Sequence, residues 1–135
     1  MINSRDIKEL LPETQTKCIR FSMLMNEAKI PFIITSTYRD QESQDALYAQ
    51  GRTTEGEIVT WIKHSKHSER RAFDIAILKD NKPTWSVKVS VNDNEIPDYK
   101  EAAVLGRNAG LKAGADFGDF AHFQDDEQYF KLEAA

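Results

Sequence analysis

Two short stretches of the chain carry residue types that can do chemistry together. The first is Ser65-Lys66-His67-Ser68-Glu69-Arg70-Arg71-Ala72-Phe73-Asp74, and the second is Asp119-Phe120-Ala121-His122. They offer two imidazoles and two carboxylates from separate parts of the sequence. That is the inventory of a catalytic zinc site, which takes about four ligands, three from the protein and the fourth from water. Two His and one Asp suffice as ligands, and the remaining carboxylate can take the proton from that water. The same residue types scattered over a small domain also serve as plain surface polarity or as satisfied hydrogen-bonding groups. A His-x6-Asp spacing alone does not choose between these readings.

The elements around these residues decide whether they can meet. Residues 72–78, AFDIAIL, alternate as a strand, so Asp74 lies within a strand and His67 in the loop before it. Residues 121–124 read as a short extended segment carrying His122. Asp119, in the turn leading into it, would face the bound water without binding the metal. Upstream, Asn3 or Ser4 can cap a short helix carrying Ile7, Leu10 and Leu11. Pro12 suits the first turn of a helix running to about residue 28, with Cys18, Phe21, Met25 and Ala28 on one face. Residues 31–38, PFIITSTY, read as a buried strand. Residues 41–50 read as a helix with Ala46, Leu47 and Ala49 inward and Gly51 as its stop. Residues 51–66 are polar and irregular apart from a short strand expected at 58–60. Residues 80–83 read as a turn, 85–91 as a further strand or an extended loop, and 98–109 as a helix ending at Gly110. Helices and strands do not alternate regularly. The expected class is therefore α+β: one domain over residues 1–135, with a central antiparallel sheet flanked by helices.

Composition narrows the function classes. The 135 residues are 40% hydrophobic and 30% charged, the balance of a globular chain. The net charge of −4 argues against a broad nucleic-acid footprint. No apolar run reaches the roughly 18 residues of a membrane span. The start, MINSRDIKELLPE, lacks an apolar signal-peptide core, so the expectation is synthesis in the cytoplasm and a separate route out. The expected state is a monomer. Cys18 is the single cysteine, which excludes an internal disulfide and a Cys-rich zinc knuckle. It reads as a small buried hydrophobe. Any metal must then be held by His, Asp or Glu, and the histidines are His64, His67 and His122.

In these motifs the chain resembles the LAS group of zinc peptidases, which includes VanY-type D-alanyl-D-alanine carboxypeptidases and L-alanyl-D-glutamate endopeptidases of phages and bacteria. The group's first motif is Ser-x-His-x-x-Gly-x-Ala-x-Asp, and Ser65, His67, Ala72 and Asp74 stand in its register. The second is Asp-x-x-His followed by an aromatic or apolar residue, matched by Asp119, His122 and Phe123. An upstream stretch of the endopeptidase branch is matched by Tyr38-Arg39-Asp40, Gln44, Leu47-Tyr48-Ala49-Gln50-Gly51-Arg52-Thr53, Gly56 and Ile58-Val59-Thr60. The resemblance covers roughly residues 30–124. It implies a hedgehog/DD-peptidase-like fold with a zinc ion at the sheet, bound by His67, Asp74 and His122. It further implies Asp119 as the catalytic acid/base, Arg39 as a substrate contact near the scissile bond, and Ser65 as a support or substrate-side group.

The implied function is hydrolysis of peptidoglycan stem peptides. The favoured bond is L-Ala–D-Glu, in the manner of a phage or prophage endolysin that reaches the wall by holin-type release. The alternatives are a D-Ala-D-Ala carboxypeptidase and a non-catalytic zinc-containing wall-binding module. Some positions depart from the pattern. Arg70 stands where the group has Gly, and Lys63-His64 replaces a Gly-Gly pair. The second motif is compressed, so that Gly114-Ala115-Asp116-Phe117 runs almost directly into Asp119, leaving Asp116 as a rival carboxylate. His64 is expected at a solvent or substrate-facing position. Arg52 and Thr53 are expected to hold the long loop, Leu47 and Tyr48 to join the core, and residues 125–127 to form a solvated charge run.

Overall fold

The computed structural model describes residues 1–126. Residues 7–9 form a 3-10 turn capped by the Asp6 carboxylate, which accepts from Lys8 N, rather than a helix capped from Asn3 or Ser4. Pro12 opens helix α1 (Pro12–Glu27), its missing N–H being one the first turn leaves unpaired in any case. Cys18, Phe21 and Met25 line its buried face. Strand β1 (Phe32–Ser36) follows, then helix α2 (Gln41–Ala49), capped by Asp40 accepting from Ser43 N. A long loop leads to β2 (Ala72–Lys79) and β3 (Lys82–Thr84). Helix α3 (Asp98–Asn108), β4 (Lys112–Ala113), a 3-10 turn at Gly114–Phe117 and β5 (His122–Gln124) complete the described chain.

The sheet is antiparallel throughout, with strands in the order β1-β2-β5-β4 and β3 beside the far end of β2. This is the α+β class expected. Strand β2 pairs with β1 along one edge; its other edge meets β5 at its start and β3 at its end. Side chains alternate faces along a strand. Phe73, Ile75 and Ile77 therefore enter the helix-covered core, where Phe73 and Phe123 stack at 5.5 Å and Phe21 lies 4.6 Å from Phe123. Asp74 takes the opposite face. Its partner across the β2–β5 ladder is His122, directly opposite. The register thus places the carboxylate and the imidazole side by side, as cross-strand neighbours.

Several expectations are corrected. Residues 58–60 form no strand, while residues 85–91 form a loop, one of the two forms expected for them. Lys82 and Pro83 belong to β3; the turn is Asp80-Asn81 alone, both at positive φ (51° and 64°), the two-residue hairpin geometry that Asp and Asn tolerate. In α2 the buried residues are Ser43 and Gln44, whereas Ala46 is exposed. That helix covers a polar cavity rather than the apolar core, so its inward face is polar. Asp125 is fully buried instead of solvated. It accepts from Thr14 Oγ1 at 3.0 Å and pairs with Lys17 Nζ at 2.7 Å, fastening the end of β5 to α1. Glu127 lies outside the described residues.

Candidate metal centre

His67, Asp74 and His122 bring one potential ligand atom each to within 4.8 Å of one another. His67 sits in a tight turn closed by Ser68 N–Ser65 O and Arg70 N–His67 O hydrogen bonds. The Ser65 hydroxyl accepts from His67 N at 3.1 Å, which supports the loop backbone. His67 Nε2 lies 3.2 Å from Asp74 Oδ1, and His122 Nδ1 lies 3.1 Å from the same oxygen. Ligand atoms on tetrahedral bonds of about 2.0–2.1 Å lie about 3.3 Å apart, so these separations match the edges of a zinc-sized tetrahedron.

The outer hydrogen bonds decide which nitrogens face inward. His67 Nδ1 is 2.7 Å from the Thr37 carbonyl oxygen, which can only accept, so the ring proton sits there and Nε2 is left bare. Gln124 donates its amide N–H to Asp126 at 2.9 Å, which turns its carbonyl oxygen toward His122 Nε2 at 2.8 Å. His122 therefore donates from Nε2 and turns Nδ1 to Asp74. In their neutral forms both rings aim lone pairs at one carboxylate oxygen. That arrangement is repulsive without a cation between them, either a proton or a metal. Committing the second imidazole N–H to an outer acceptor is the usual support of a metal-binding His. The residues present fit a divalent ion.

The electrostatics agree. Burial would raise the Asp74 pKa, but hydrogen bonds from His122 and His67 in their protonated forms outweigh it and hold the carboxyl well below the usual range. Burial would lower the His122 pKa, and Asp74 reverses this and raises it. Asp119 stands on the open side of the same cavity. Its partial burial and then the Asp74 charge push its carboxyl above the usual range, against the pull of His122, His67 and the Ala121 N–H.

The cavity holds about 650 Å³ and is lined by Arg39, Gln44, Ser65, the three candidate ligands, Asp119 and Gln124. Leu47, Val59, Ile62 and Phe117 give it apolar walls, and exposed His64 lies at its edge. Arg39 donates from Nη1 to Gln44 at 2.8 Å and from Nη2 to Ser36 at 3.4 Å, while its buried Nε has no partner among the described residues. Burial lowers its pKa, with Asp74 partly restoring it. Asp116 does not line the cavity; it pairs with Arg107 at 2.6 Å. Arg52 bonds the carbonyls of Tyr48 and Thr60 and lies over the Tyr48 ring, bracing the long loop.

Two departures from the family pattern are accommodated. Arg70 adopts φ 62°, the left-handed conformation for which Gly is the default residue. Its guanidinium pairs with Glu9 at 2.7 Å and lies 3.8 Å over the Tyr38 ring. The compressed second motif is closed at Gly114, where an added Cβ would meet the carbonyl oxygens of Asp119 and His122. Sequence reading missed the supporting groups Thr37 and Gln124, and it matched Gln44 to the upstream motif without giving it a role. Gln124 alone had a readable signal, standing two residues from His122 on the same face of a strand.

A sheet with two His and one Asp on its open face, beside a cavity holding a further carboxylate and an arginine, defines a candidate metallopeptidase centre. No protein-family model matches the chain. A curated relative, the peptidoglycan L-alanyl-D-glutamate endopeptidase CwlK of Bacillus subtilis (strain 168), is 34% identical over 101 residues, covering 70% of this chain and 60% of the relative. The chain therefore spans about 60% of the length of that relative. The crystal structure of the L-Ala D-Glu endopeptidase ChiX of Serratia marcescens shares the fold, with a TM-score of 0.69 at 16% identity over 99% of this chain and 93% of that one. In sequence and in fold the chain is thus similar to L-alanyl-D-glutamate endopeptidases.

Proposed function

We propose that the chain is a zinc-dependent peptidase of peptidoglycan stem peptides that cleaves the L-Ala–D-Glu bond. The observation that carries the metal reading is the pair of imidazoles with bare nitrogens turned to one Asp74 oxygen. The bond assignment is supported by the relative's activity and by the endopeptidase-like stretch from Tyr38 to Thr60. His67, Asp74 and His122 hold the ion. When bound there, zinc supplies Lewis acidity, polarising a carbonyl and bringing the pKa of coordinated water to about 7.

The chain's own groups do the rest. Asp119, its carboxyl raised above the usual range and accessible to solvent, takes a proton from water and returns it to the leaving amine. Arg39, held by Gln44 and Ser36 at the cavity wall, directs positive charge to the developing oxyanion. Ser65 supports the His67 loop through its hydroxyl. Leu47, Val59, Ile62 and Phe117 provide the apolar surface that excludes water around the stem peptide. The presence of Arg39 and Asp119 in the same cavity favours an enzyme over a non-catalytic wall-binding module. In this reading the chain acts as a monomer, as a phage or prophage endolysin released to the wall by a holin.

Mass spectrometry of peptidoglycan fragments, incubated with the protein with and without a chelator, tests the reading. Chelator-sensitive new amino termini at D-Glu are expected. Loss of a single terminal D-Ala would reassign it to the carboxypeptidase branch, and no cleavage by zinc-loaded protein would refute the catalytic reading.

A further inference from the structure

The loop entering α3 carries oxygen-bearing side chains at a spacing that the peptidase chemistry does not use. It reads Ser90-Val91-Asn92-Asp93-Asn94-Glu95-Ile96-Pro97-Asp98-Tyr99-Lys100-Glu101. The 12-residue calcium loop of EF-hands takes ligands from positions 1, 3 and 5, from the carbonyl of 7, from 9, and from a Glu at 12, with a Gly turn at 6. Counted from Ser90, those ligand positions are Ser90, Asn92, Asn94, Ile96, Asp98 and Glu101. Position 6 is Glu95, and it adopts the positive φ of that turn, 66°.

The side chains already converge. Ser90 Oγ lies 3.5 Å from Asn92 Oδ1 and 3.4 Å from Asn94 Oδ1. The amide N–H groups of the same two residues donate to Glu101 Oε1, at 3.3 and 2.6 Å. Three neutral oxygens are thus gathered together, and a carboxylate is held by the same two amides. Helix α3 begins at Asp98, so Glu101 sits in its first turn, as position 12 does in the exiting helix of an EF-hand.

Asp98 supplies an independent observation. Its side chain is 0% exposed. Oδ2 accepts from Val91 N at 2.7 Å, which turns the carboxylate into the loop, while the buried Oδ1 has no partner among the described residues. An anionic oxygen left so is unfavourable until a cation reaches it. Burial, followed by the charge of Glu101, raises this carboxyl's pKa, the response of a group lacking a positive neighbour.

We propose that residues 90–101 form a calcium-binding loop, with Ser90, Asn92, Asn94, Asp98 and Glu101 and the Ile96 carbonyl as all-oxygen ligands. Hard cations of this size take six to eight such oxygens. Two carboxylates and a Ser at position 1 place the affinity at the weak end, with Kd about 10⁻⁴ to 10⁻³ M. The bound ion tightens the start of α3 against the end of α1, where the carbonyl of the capping residue Ala28 accepts from Asn92. It also anchors Tyr99, whose hydroxyl ties α3 to β2 and β3. The inference is independent of the peptidase reading.

The test is calorimetry and thermal unfolding of the full chain, with its His/Asp/His centre saturated with zinc, in 10 mM Ca²⁺ or 10 mM Mg²⁺. Calcium should give a one-site binding heat and raise Tm by about 4–10 °C. Magnesium should do neither. Glu101→Gln and, at the exposed tip, Asn94→Ala should lose both effects, and the second variant keeps the test open if the first folds poorly. No calcium heat and no shift in the wild type would overturn the proposal. So would an undiminished shift in a variant that folds, which would place the ion elsewhere, or an equal response to magnesium.

Discussion

Arg70 holds a conformation that disfavours its own side chain, and the cost can be set against what the side chain gains. At φ 62° a residue with a Cβ pays about 1–2 kcal/mol relative to the right-handed region. The half-exposed pair with Glu9 returns about 0.2–1 kcal/mol, and the cation–π contact with Tyr38 about 0.5–1 kcal/mol. Strain and contacts therefore nearly cancel in the native chain. Arg70→Ala keeps the strain and loses both contacts, for an expected loss of about 1–2 kcal/mol. Arg70→Gly loses the same contacts but relieves the strain, against about 0.5–1 kcal/mol of extra chain entropy in the unfolded state. Its net loss is expected to be below about 1 kcal/mol. Urea and thermal unfolding of the three proteins should rank Arg first, Gly second and Ala last. Gly and Ala should differ by roughly 1 kcal/mol, or about 4 °C in Tm. An Arg70→Ala protein as stable as Arg70→Gly would contradict this ranking. It would show that the turn after His67 relaxes out of the left-handed region.

Other consequences follow from the same geometry. Gly114→Ala should lower stability by about 1–3 kcal/mol and turnover by about 100-fold, because the new Cβ pushes on the backbone carrying Asp119 and His122; unfolding midpoints and kcat/KM check this. In metal-free protein, the depressed Asp74 pKa gives stability that is present above about pH 4 and lost as pH falls through the folded value. The raised His122 pKa gives stability that is present below about pH 6.5 and lost as pH rises through the folded value. The stability difference between metal-free wild type and Asp74→Asn should therefore peak between about pH 4 and 6.5, and a pH-independent difference in urea unfolding would contradict this. Cys18, fully buried and with its thiol pushed up to about 12, should resist alkylation at pH 8 until the protein unfolds.

The legible parts of the sequence were those governed by local pattern. Strand β2 showed itself through the alternation of Phe73, Ile75 and Ile77, and α1 through Cys18, Phe21 and Met25. The site motifs were readable because their spacing puts His67 before a strand and Asp74 within it. The illegible parts depend on what an element packs against. Helix α2 covers a polar cavity, so Ser43 and Gln44 are its buried residues, Leu47 lines the cavity rather than the core, and Ala46 is exposed. Asp125 sits in a charged run in sequence, yet it is buried because Thr14 and Lys17 reach it from more than 100 residues away. The tautomers of His67 and His122 depend on the Thr37 carbonyl and the Gln124 amide, partners that only the fold brings together.

The central claim is that His67, Asp74 and His122 hold a metal ion beside a separate base. Native mass spectrometry of zinc-loaded wild type, Asp74→Ala and Asp119→Ala measures this directly. One zinc ion is expected in the wild type, none in Asp74→Ala and one in Asp119→Ala. Zinc retained by Asp74→Ala, or lost from Asp119→Ala, would contradict the claim.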